Sequence, residues 1–106
     1  MGDRRVIHLV DDEESIRKAA SFALKTAGYD VVTYASGVEF LKEAKSAAVG
    51  CVILDVRMPE MDGLETCRRL KADLELASIP VIMVSAKDGN DDIIRGLNVG
   101  ANDYIT

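Results

Sequence analysis

Three aspartates that follow two short apolar runs are the chain's best candidates for chemistry. Asp11 and Asp12 come directly after Val6–Val10, and Asp55 directly follows residues 51–54. Because open parallel sheets gather their functional groups where strands end, we expect these three carboxylates to lie together. Close carboxylates repel one another unless a cation neutralises them, and oxygen ligands suit Mg²⁺ (or Mn²⁺). The pattern therefore predicts a hard-cation site beside a carboxylate, Asp55, that can be modified.

Ordinary structural roles compete with this interpretation. The acids at positions 11–14 also suit the first turn of a helix, where negative charge favours the positive end of the helix dipole. That role is sufficient for Glu13 and Glu14, but it explains only one of the two strand ends. Ser85, after a later apolar run, is either a simple cap or a hydroxyl that donates to a phosphoryl oxygen on Asp55. Tyr104 is either a core aromatic, which the sequence alone favours, or an aromatic that moves between buried and exposed states.

The bulk composition indicates one soluble domain, residues 1–106. The chain is 48% hydrophobic and 29% charged, which is ordinary for a globular domain of this length. Its 13 basic and 18 acidic residues give a net charge of −5, which argues against nucleic-acid binding by this segment. No stretch is long enough to span a membrane and no signal-peptide pattern is present, so we expect a cytoplasmic protein. Cys51 and Cys67 suit core packing, and His8 suits a hydrogen-bonded structural role.

Alternating strand and helix patterns must position the aspartates. Apolar runs predict strands at residues 6–10, 29–34, 49–55, 81–85 and 103–106. Helical spacing predicts four helices between them. The first ends at Gly28, and the second begins at Ser36. The inner faces of the later helices are Val38, Leu41 and Ala44 in the second, Leu64, Cys67 and Leu70 in the third, and Ile93, Ile94 and Leu97 in the fourth. This alternation predicts a parallel sheet covered on both faces.

Four motifs in the same order give the chain a resemblance to a known family. They are Asp11-Asp12 after the first strand, Asp55 with Met58-Pro59 and Asp62-Gly63, Ser85-Ala86 after the fourth strand, and Gly100-Ala101-Asn102-Asp103-Tyr104. Each motif is weak alone, but together they are specific and span nearly the whole chain. The chain resembles the receiver domain of bacterial two-component response regulators, in particular the chemotaxis regulators. The resemblance implies a flavodoxin-like, doubly wound α/β fold with five parallel strands in the order 2-1-3-4-5.

The resemblance also implies a role for each site residue. Asp55 is the implied phosphoacceptor, and Asp11, Asp12, Asp55 and the backbone carbonyl of Arg57 are the implied ligands of Mg²⁺ or Mn²⁺. Ser85 contacts the phosphoryl group and forms a switch pair with Tyr104. The implied function is two-component signalling, in which the domain takes a phosphoryl group from a histidine kinase or histidine phosphotransfer protein. It then acts on an output domain or effector, as a phosphoacceptor with self-catalysed transfer rather than an enzyme.

In this family a lysine and a fifth helix follow the position of Thr106. We therefore expect a domain truncated before both, with an uncovered sheet face capable of self-association. Two other functions stay open. A haloacid-dehalogenase-type phosphatase also uses an aspartate nucleophile and Mg²⁺, but it needs a second aspartate where this chain has Arg57. A binding-only module, with an impaired response to phosphate, is the other alternative.

Overall fold

The computed structural model describes residues 6–46, 50–58, 61–84 and 100–105, with only the backbone of Tyr104. The elements are β1 (Val6–Val10), α1 (Glu14–Thr26), β2 (Asp30–Tyr34), α2 (Gly37–Glu43), β3 (Gly50–Asp55), α3 (Gly63–Ala72), β4 (Val81–Val84) and β5 (Asp103–Ile105). Each predicted strand is present, within one residue of its predicted bounds where those residues are described. The predicted fourth helix, with Ile93, Ile94 and Leu97, lies outside the described residues.

The five strands form one parallel sheet in the order β2-β1-β3-β4-β5, which confirms the predicted fold class. The register pairs Val10 with Leu54, and Asp55 with Val84. Asp11 follows Val10 directly, and Asp55 follows Leu54. The register therefore carries both aspartates to the same edge of the sheet, on neighbouring strands.

Most of the hydrophobic core lies on the sheet face covered by α2 and α3. Alternate strand residues point to this face, and helix residues close over them. The fully buried members are Val10, Phe40, Val52, Leu54, Cys67, Leu70, Val81 and Met83. Leu64, Cys67 and Leu70 of α3 are buried, as predicted. Both cysteines have free thiols, and burial raises their pKa values, which is consistent with packing roles.

The predicted inner face of α2 was partly wrong. Ala44 is buried, but Val38 and Leu41 are only half-buried, and the main core residue of the helix is Phe40. The reason is the approach of α2 to α3 at Gly37, where an added Cβ atom would overlap the Oγ1 atom of Thr66. This contact rotates the helix so that the residues one turn apart at 37, 40 and 44 face the core.

Helix α1 covers the opposite sheet face loosely. None of its residues is fully buried, and Ile16 is 46% exposed. Between α1 and the sheet lies a groove of about 320 Å³, which we call the α1 groove. Its apolar lining is Leu9, Val10, Ile16, Ala20, Ala23, Leu24, Ile53 and Val84, and Asp11 and Asp55 stand at its edge. Ile105 of β5 is 51% exposed beside Val84 on the same face.

The single histidine has the predicted structural role. His8 is buried in β1, and its Nδ1 atom lies 3.0 Å from the Tyr34 hydroxyl in a hydrogen bond. The Tyr34 ring meets the Phe40 ring edge-on at a centroid distance of 5.0 Å. Burial, with smaller effects of the Glu43 and Glu39 charges, raises the pKa of Tyr34. The neutral phenol thus joins β1, β2 and α2.

The predicted helix ends at Gly28 and Ser36 are confirmed by their dihedral angles and hydrogen bonds. Ser36 caps α2 by accepting from Glu39 N at 3.1 Å, and Asp62 caps α3 by accepting from Glu65 N at 2.9 Å. Gly28 follows the end of α1 with φ +101°, a conformation that favours glycine. These ends fix where each helix leaves the sheet edge that carries the aspartates.

Lys71 joins the end of α3 to the start of β5. Its Nζ atom donates to the carbonyl oxygens of Ala77 at 3.1 Å and Ile79 at 2.6 Å, and to Asn102 Oδ1 at 3.3 Å. Asn102 Oδ1 also accepts from Val81 N at 2.9 Å. One ammonium group therefore holds together the α3–β4 loop, β4 and the entry to β5.

The start of α3 packs directly on the backbone of β3. An added Cβ atom at Gly63 would overlap the Asp55 carbonyl oxygen, and Gly63 N donates to Val56 O at 3.0 Å. Because only a glycine fits at this position, Gly63 fixes the path of the chain just after Asp55.

Substitution of Gly63 by alanine is expected to lower the free energy of unfolding by about 1–3 kcal/mol, because the methyl group forces the two backbones apart. It should also change the apparent pKa of Asp55, since the overlap is with that residue's own carbonyl. Urea unfolding and NMR titration of the carboxyl carbon measure the two effects.

Gly28→Ala is the matched control. It also loses stability, because φ is +101°, but the added Cβ atom would have no neighbour within 4 Å. Its Asp55 titration should match that of the wild type. An unchanged Asp55 titration in the Gly63 variant would contradict the positioning role.

Candidate metal centre at the carboxyl edge of the sheet

The structure brings the three predicted aspartates together. One carboxylate oxygen from each of Asp11, Asp12 and Asp55 lies within 4.8 Å of the others. Asp11 is 9% exposed, Asp55 is half-buried and Asp12 is exposed. The cluster therefore opens to solvent on the side of Asp12, while Asp11 and Asp55 form its inner wall.

Asp11 is held by bonds to three of its groups. Its backbone N–H donates to Tyr34 O at 3.1 Å, which extends the pairing of β1 with β2 by one residue. Its Oδ1 atom accepts from Glu13 N at 2.9 Å. Its carbonyl oxygen accepts from Arg17 Nη1 at 2.7 Å. Glu13 itself makes no side-chain cap bond, so the carboxylate that serves the start of α1 is that of Asp11.

Asp55 is the electrostatically strained member of the cluster. Burial is the largest cause that raises its pKa, to about 6, followed by the negative charge of Asp11. The Arg57 N–H, which donates to Asp55 Oδ1 at 3.2 Å, acts in the opposite direction. Sequence reasoning predicted the repulsion between carboxylates, but the larger effect is loss of solvation at the half-buried strand end.

The donor set fits a hard divalent cation. All three side chains offer carboxylate oxygens, and their spacing allows one ion to contact all of them. Burial first, and then repulsion by the Asp11 charge, raise the pKa of Asp55, so its ionised form is disfavoured in the metal-free site. Mg²⁺ or Mn²⁺ bound here would remove that repulsion and leave part of its coordination shell for water or a phosphoryl oxygen.

The other predicted site residues are described only in part. Arg57 is exposed, and its backbone N–H contacts Asp55, whereas metal binding by its carbonyl stays a prediction. Ser85 lies outside the described residues. Tyr104 is described only as a backbone position in β5, paired with Met83, so its switch role also stays a prediction.

Sequence reasoning missed Arg17. Its guanidinium group reaches across six residues to the Asp11 carbonyl oxygen. The available signal was its position three and seven residues before Ala20 and Leu24, on the half-buried side of α1. An arginine on the half-buried side of a helix, next to an acidic loop, indicates that its guanidinium group has a specific hydrogen-bond or charge partner.

Comparison with known proteins identifies the family. A sequence profile described as "Response regulator receiver domain" matches residues 7–106. The chain belongs to this family. The receiver domain is 41% identical over 100 residues to the alkaline phosphatase synthesis transcriptional regulatory protein PhoP of Bacillus subtilis (strain 168). The match covers 94% of this chain and 41% of PhoP, so the receiver domain spans about two fifths of that relative.

Solved structures agree with the fold. The chemotaxis protein CheY4 of Vibrio cholerae superposes with a TM-score of 0.90 at 32% identity, covering 96% of this chain and 85% of that one. The Mn²⁺-bound form of response regulator Rcp1 superposes with a TM-score of 0.83 at 25% identity, covering 96% and 80% of the two chains. Among the described residues of the receiver domain, the helices are too short or too polar to cross a membrane.

The metal-free receiver domain is expected to lose stability through Asp55 as pH rises from about 4 to about 6. The pKa of Asp55 is about 6 in the folded state against an ordinary value of 3.8, so the folded state binds more protons in this window. The free energy of unfolding therefore falls with rising pH. The loss should reach about 1–2 kcal/mol and stay constant above the window, since partial exposure of Asp55 reduces the full effect. Urea unfolding with EDTA at each pH measures it.

Asp55→Asn is the reference variant, because other carboxylates also titrate in this range. The free energy of unfolding of Asp55→Asn should exceed that of the wild type by an amount that grows from pH 4 to pH 6. A flat difference curve for Asp55→Asn would show that the Asp55 pKa is not raised.

Proposed function

We propose that this receiver domain accepts a phosphoryl group on Asp55 from a phosphohistidine of a histidine kinase or histidine phosphotransfer protein. Phosphorylation then changes its affinity for an output domain or effector. The observation that carries the proposal is the cluster of Asp11, Asp12 and Asp55, in which one half-buried carboxylate has a pKa raised to about 6. Family membership supports the signalling role, since the matching relatives include transcriptional regulators such as PhoP.

Asp11, Asp12 and Asp55 would hold Mg²⁺ or Mn²⁺, together with the carbonyl of Arg57. The Mn²⁺-bound structure of Rcp1, a protein of the same fold, supports this choice of ion. The ion supplies positive charge that offsets the negative charge on the phosphoryl oxygens during transfer. The three carboxylates would bind the ion. The Arg57 N–H donates to Asp55 Oδ1, and this bond would keep the acceptor carboxylate at the edge of the site.

The transfer itself is a displacement at phosphorus. A carboxylate oxygen of Asp55 forms the new O–P bond as the P–N bond to the donor imidazole breaks, and the imidazole nitrogen keeps the bonding electrons. Asp55 must be deprotonated to attack, and a cation bound beside it would favour the deprotonated form. Hydrolysis returns the carboxylate when water adds to phosphorus and the O–P bond breaks. Ser85, which would donate to a phosphoryl oxygen, and Tyr104 would then report the phosphorylated state.

A phosphatase of the haloacid-dehalogenase type is disfavoured. That chemistry needs a general acid two residues after the nucleophilic aspartate, and this position is Arg57, whose guanidinium group keeps its protons too tightly to act as a general acid. The domain is therefore a phosphoacceptor rather than an enzyme that turns over a separate substrate.

The α1 groove favours a second partner, another copy of this chain. Ile16 and Ile105 are 46% and 51% exposed on the sheet face, and α1 is the described element that covers that face. We propose that two copies associate through it, because association removes this apolar surface from water. The same surface would serve the binding-only alternative, in which contacts form without phosphate.

Incubation with acetyl phosphate and Mg²⁺ should add one phosphoryl group to the wild-type chain, as measured by intact-protein mass spectrometry. Asp55→Asn should gain none, because its amide group replaces the nucleophilic carboxylate. Asp12→Asn should need more than about tenfold more Mg²⁺ for the same rate, because it weakens the metal site. Asp30→Asn should behave as the wild type.

Fast hydrolysis could hide the adduct, so beryllofluoride binding to the wild type provides a stable reference. An equal mass gain in Asp55→Asn would place the modification elsewhere and end the proposal. Repeated turnover of a phosphomonoester by the wild type would favour the phosphatase instead.

Sedimentation velocity at increasing protein concentration should show reversible self-association of the wild-type domain. Ile105→Lys should weaken it, because a charge on the shared face must lose solvation when the copies meet. Leu74→Lys is the control, since Leu74 is 96% exposed in the α3–β4 loop, away from the α1 groove. A monomer at all concentrations, or equal weakening by both variants, would contradict association through this face.

A further inference from the structure

We propose that Arg17 is a positioning residue that orients Asp11 and Asp12 for the metal ion, an inference that rests on the metal site of the proposed function. Arg17 lies in the first turn of α1, outside the cluster of carboxylates. Its Nη1 atom donates to the Asp11 carbonyl oxygen at 2.7 Å in a partly buried bond. This side chain therefore ties α1 to the loop that carries two of the three ligands.

The bonded oxygen belongs to the peptide group that joins Asp11 to Asp12. Because a peptide group is planar, fixing its oxygen limits the directions in which both neighbouring Cα atoms present their side chains. The two other anchors of Asp11, to Tyr34 O and Glu13 N, act on its own N–H and carboxylate. Asp12 is exposed, so the direction of its carboxylate depends on the backbone that Arg17 holds.

The position of Arg17 on α1 fits this role better than a general surface role. It is half-buried, on the side of the helix that carries Ala20 and Leu24. The neighbouring Lys18 instead forms an ion pair with Glu14 at 3.0 Å, with side chains 77% and 68% exposed. Pairs of that kind contribute little to stability. Lys18 thus offers a cation on the same helix without the bond to Asp11.

The expected effect of losing Arg17 is weaker metal binding, with the fold kept. Groups that orient metal ligands typically change affinity by about 10–100-fold when they are replaced. Since Asp11 keeps two other anchors, we expect the lower end of that range, about a tenfold rise in the dissociation constant for Mn²⁺.

Titration of the 106-residue chain with Mn²⁺, following the electron paramagnetic resonance signal of the free ion, tests the inference. Arg17→Met removes the donor and keeps the straight stem, and it should show the tenfold loss. Arg17→Lys keeps a charged donor and should fall between Arg17→Met and wild type. Lys18→Met removes the same charge from the next residue and should stay within about twofold of wild type, because its exposed charge is screened by solvent.

Two further readouts separate positioning from a loss of structure or of net charge. In acetyl phosphate reactions, Arg17→Met should raise the Mg²⁺ concentration at half-maximal rate while the rate at saturating Mg²⁺ stays near that of wild type. A merely structural role would lower the maximal rate and leave the Mg²⁺ dependence unchanged. At about 1 M KCl the screening length is only about 3 Å, so an effect of net charge would be lost. The ratio of the Mn²⁺ affinities of wild type and Arg17→Met should persist under these conditions.

The outcomes distinguish this inference from the proposed function. If wild type and Arg17→Met bind Mn²⁺ equally well, the role of Arg17 is overturned and the proposed metal site stands. Equal losses in Arg17→Met and Lys18→Met also overturn it, since net charge would then be the cause. Wild type that binds no Mn²⁺ overturns the metal site and, with it, the inference.

Discussion

Repulsion among carboxylates that the sheet register forces together is the constraint on which the site depends. Pairing of Val10 with Leu54 leaves Asp11 and Asp55 side by side on neighbouring strands, and Asp12 adds a third charge. The half-buried position of Asp55 adds the cost of lost solvation, which is the larger effect on its pKa. The fold must supply this energy from elsewhere, and the densely packed face under α2 and α3 is the available source. A cation bound at the edge would relieve a strain that the core maintains.

The two faces of the sheet divide these tasks. The α2–α3 face holds the buried apolar residues and the His8–Tyr34 bond, and it sets where each strand ends. The α1 face is more open, and its groove reaches Asp11 and Asp55. Backbone donors hold the carboxylates between the faces, since Glu13 N binds Asp11 and Arg57 N binds Asp55. Rigid packing on one side and open access on the other suit a group that must be both fixed and reachable.

The strands, the sheet order and the aspartate cluster could be predicted because each depends on a local pattern or on a resemblance. Apolar runs with acids at their ends mark β1 and β3 directly. The inner face of α2 could not be predicted, because it depends on the close approach of Gly37 to Thr66 on another helix. Arg17 was missed for a similar reason, since a bond across six residues depends on the path of the loop. Contacts set by tertiary geometry leave little trace in spacing.

The strict alternation of side chains along β3 has a consequence for insertions and deletions in this gene. Substitutions at Ile53 or Cys51 alter one side chain each, and the neighbouring strand pairs remain. Deletion of one residue within β3 would instead exchange the two faces of the strand from that point onward. The Asp55 carboxylate would then point into the core that Leu54 fills. Length in this segment is therefore under stronger constraint than composition, and a frame-preserving loss of one codon there is equivalent to loss of the site.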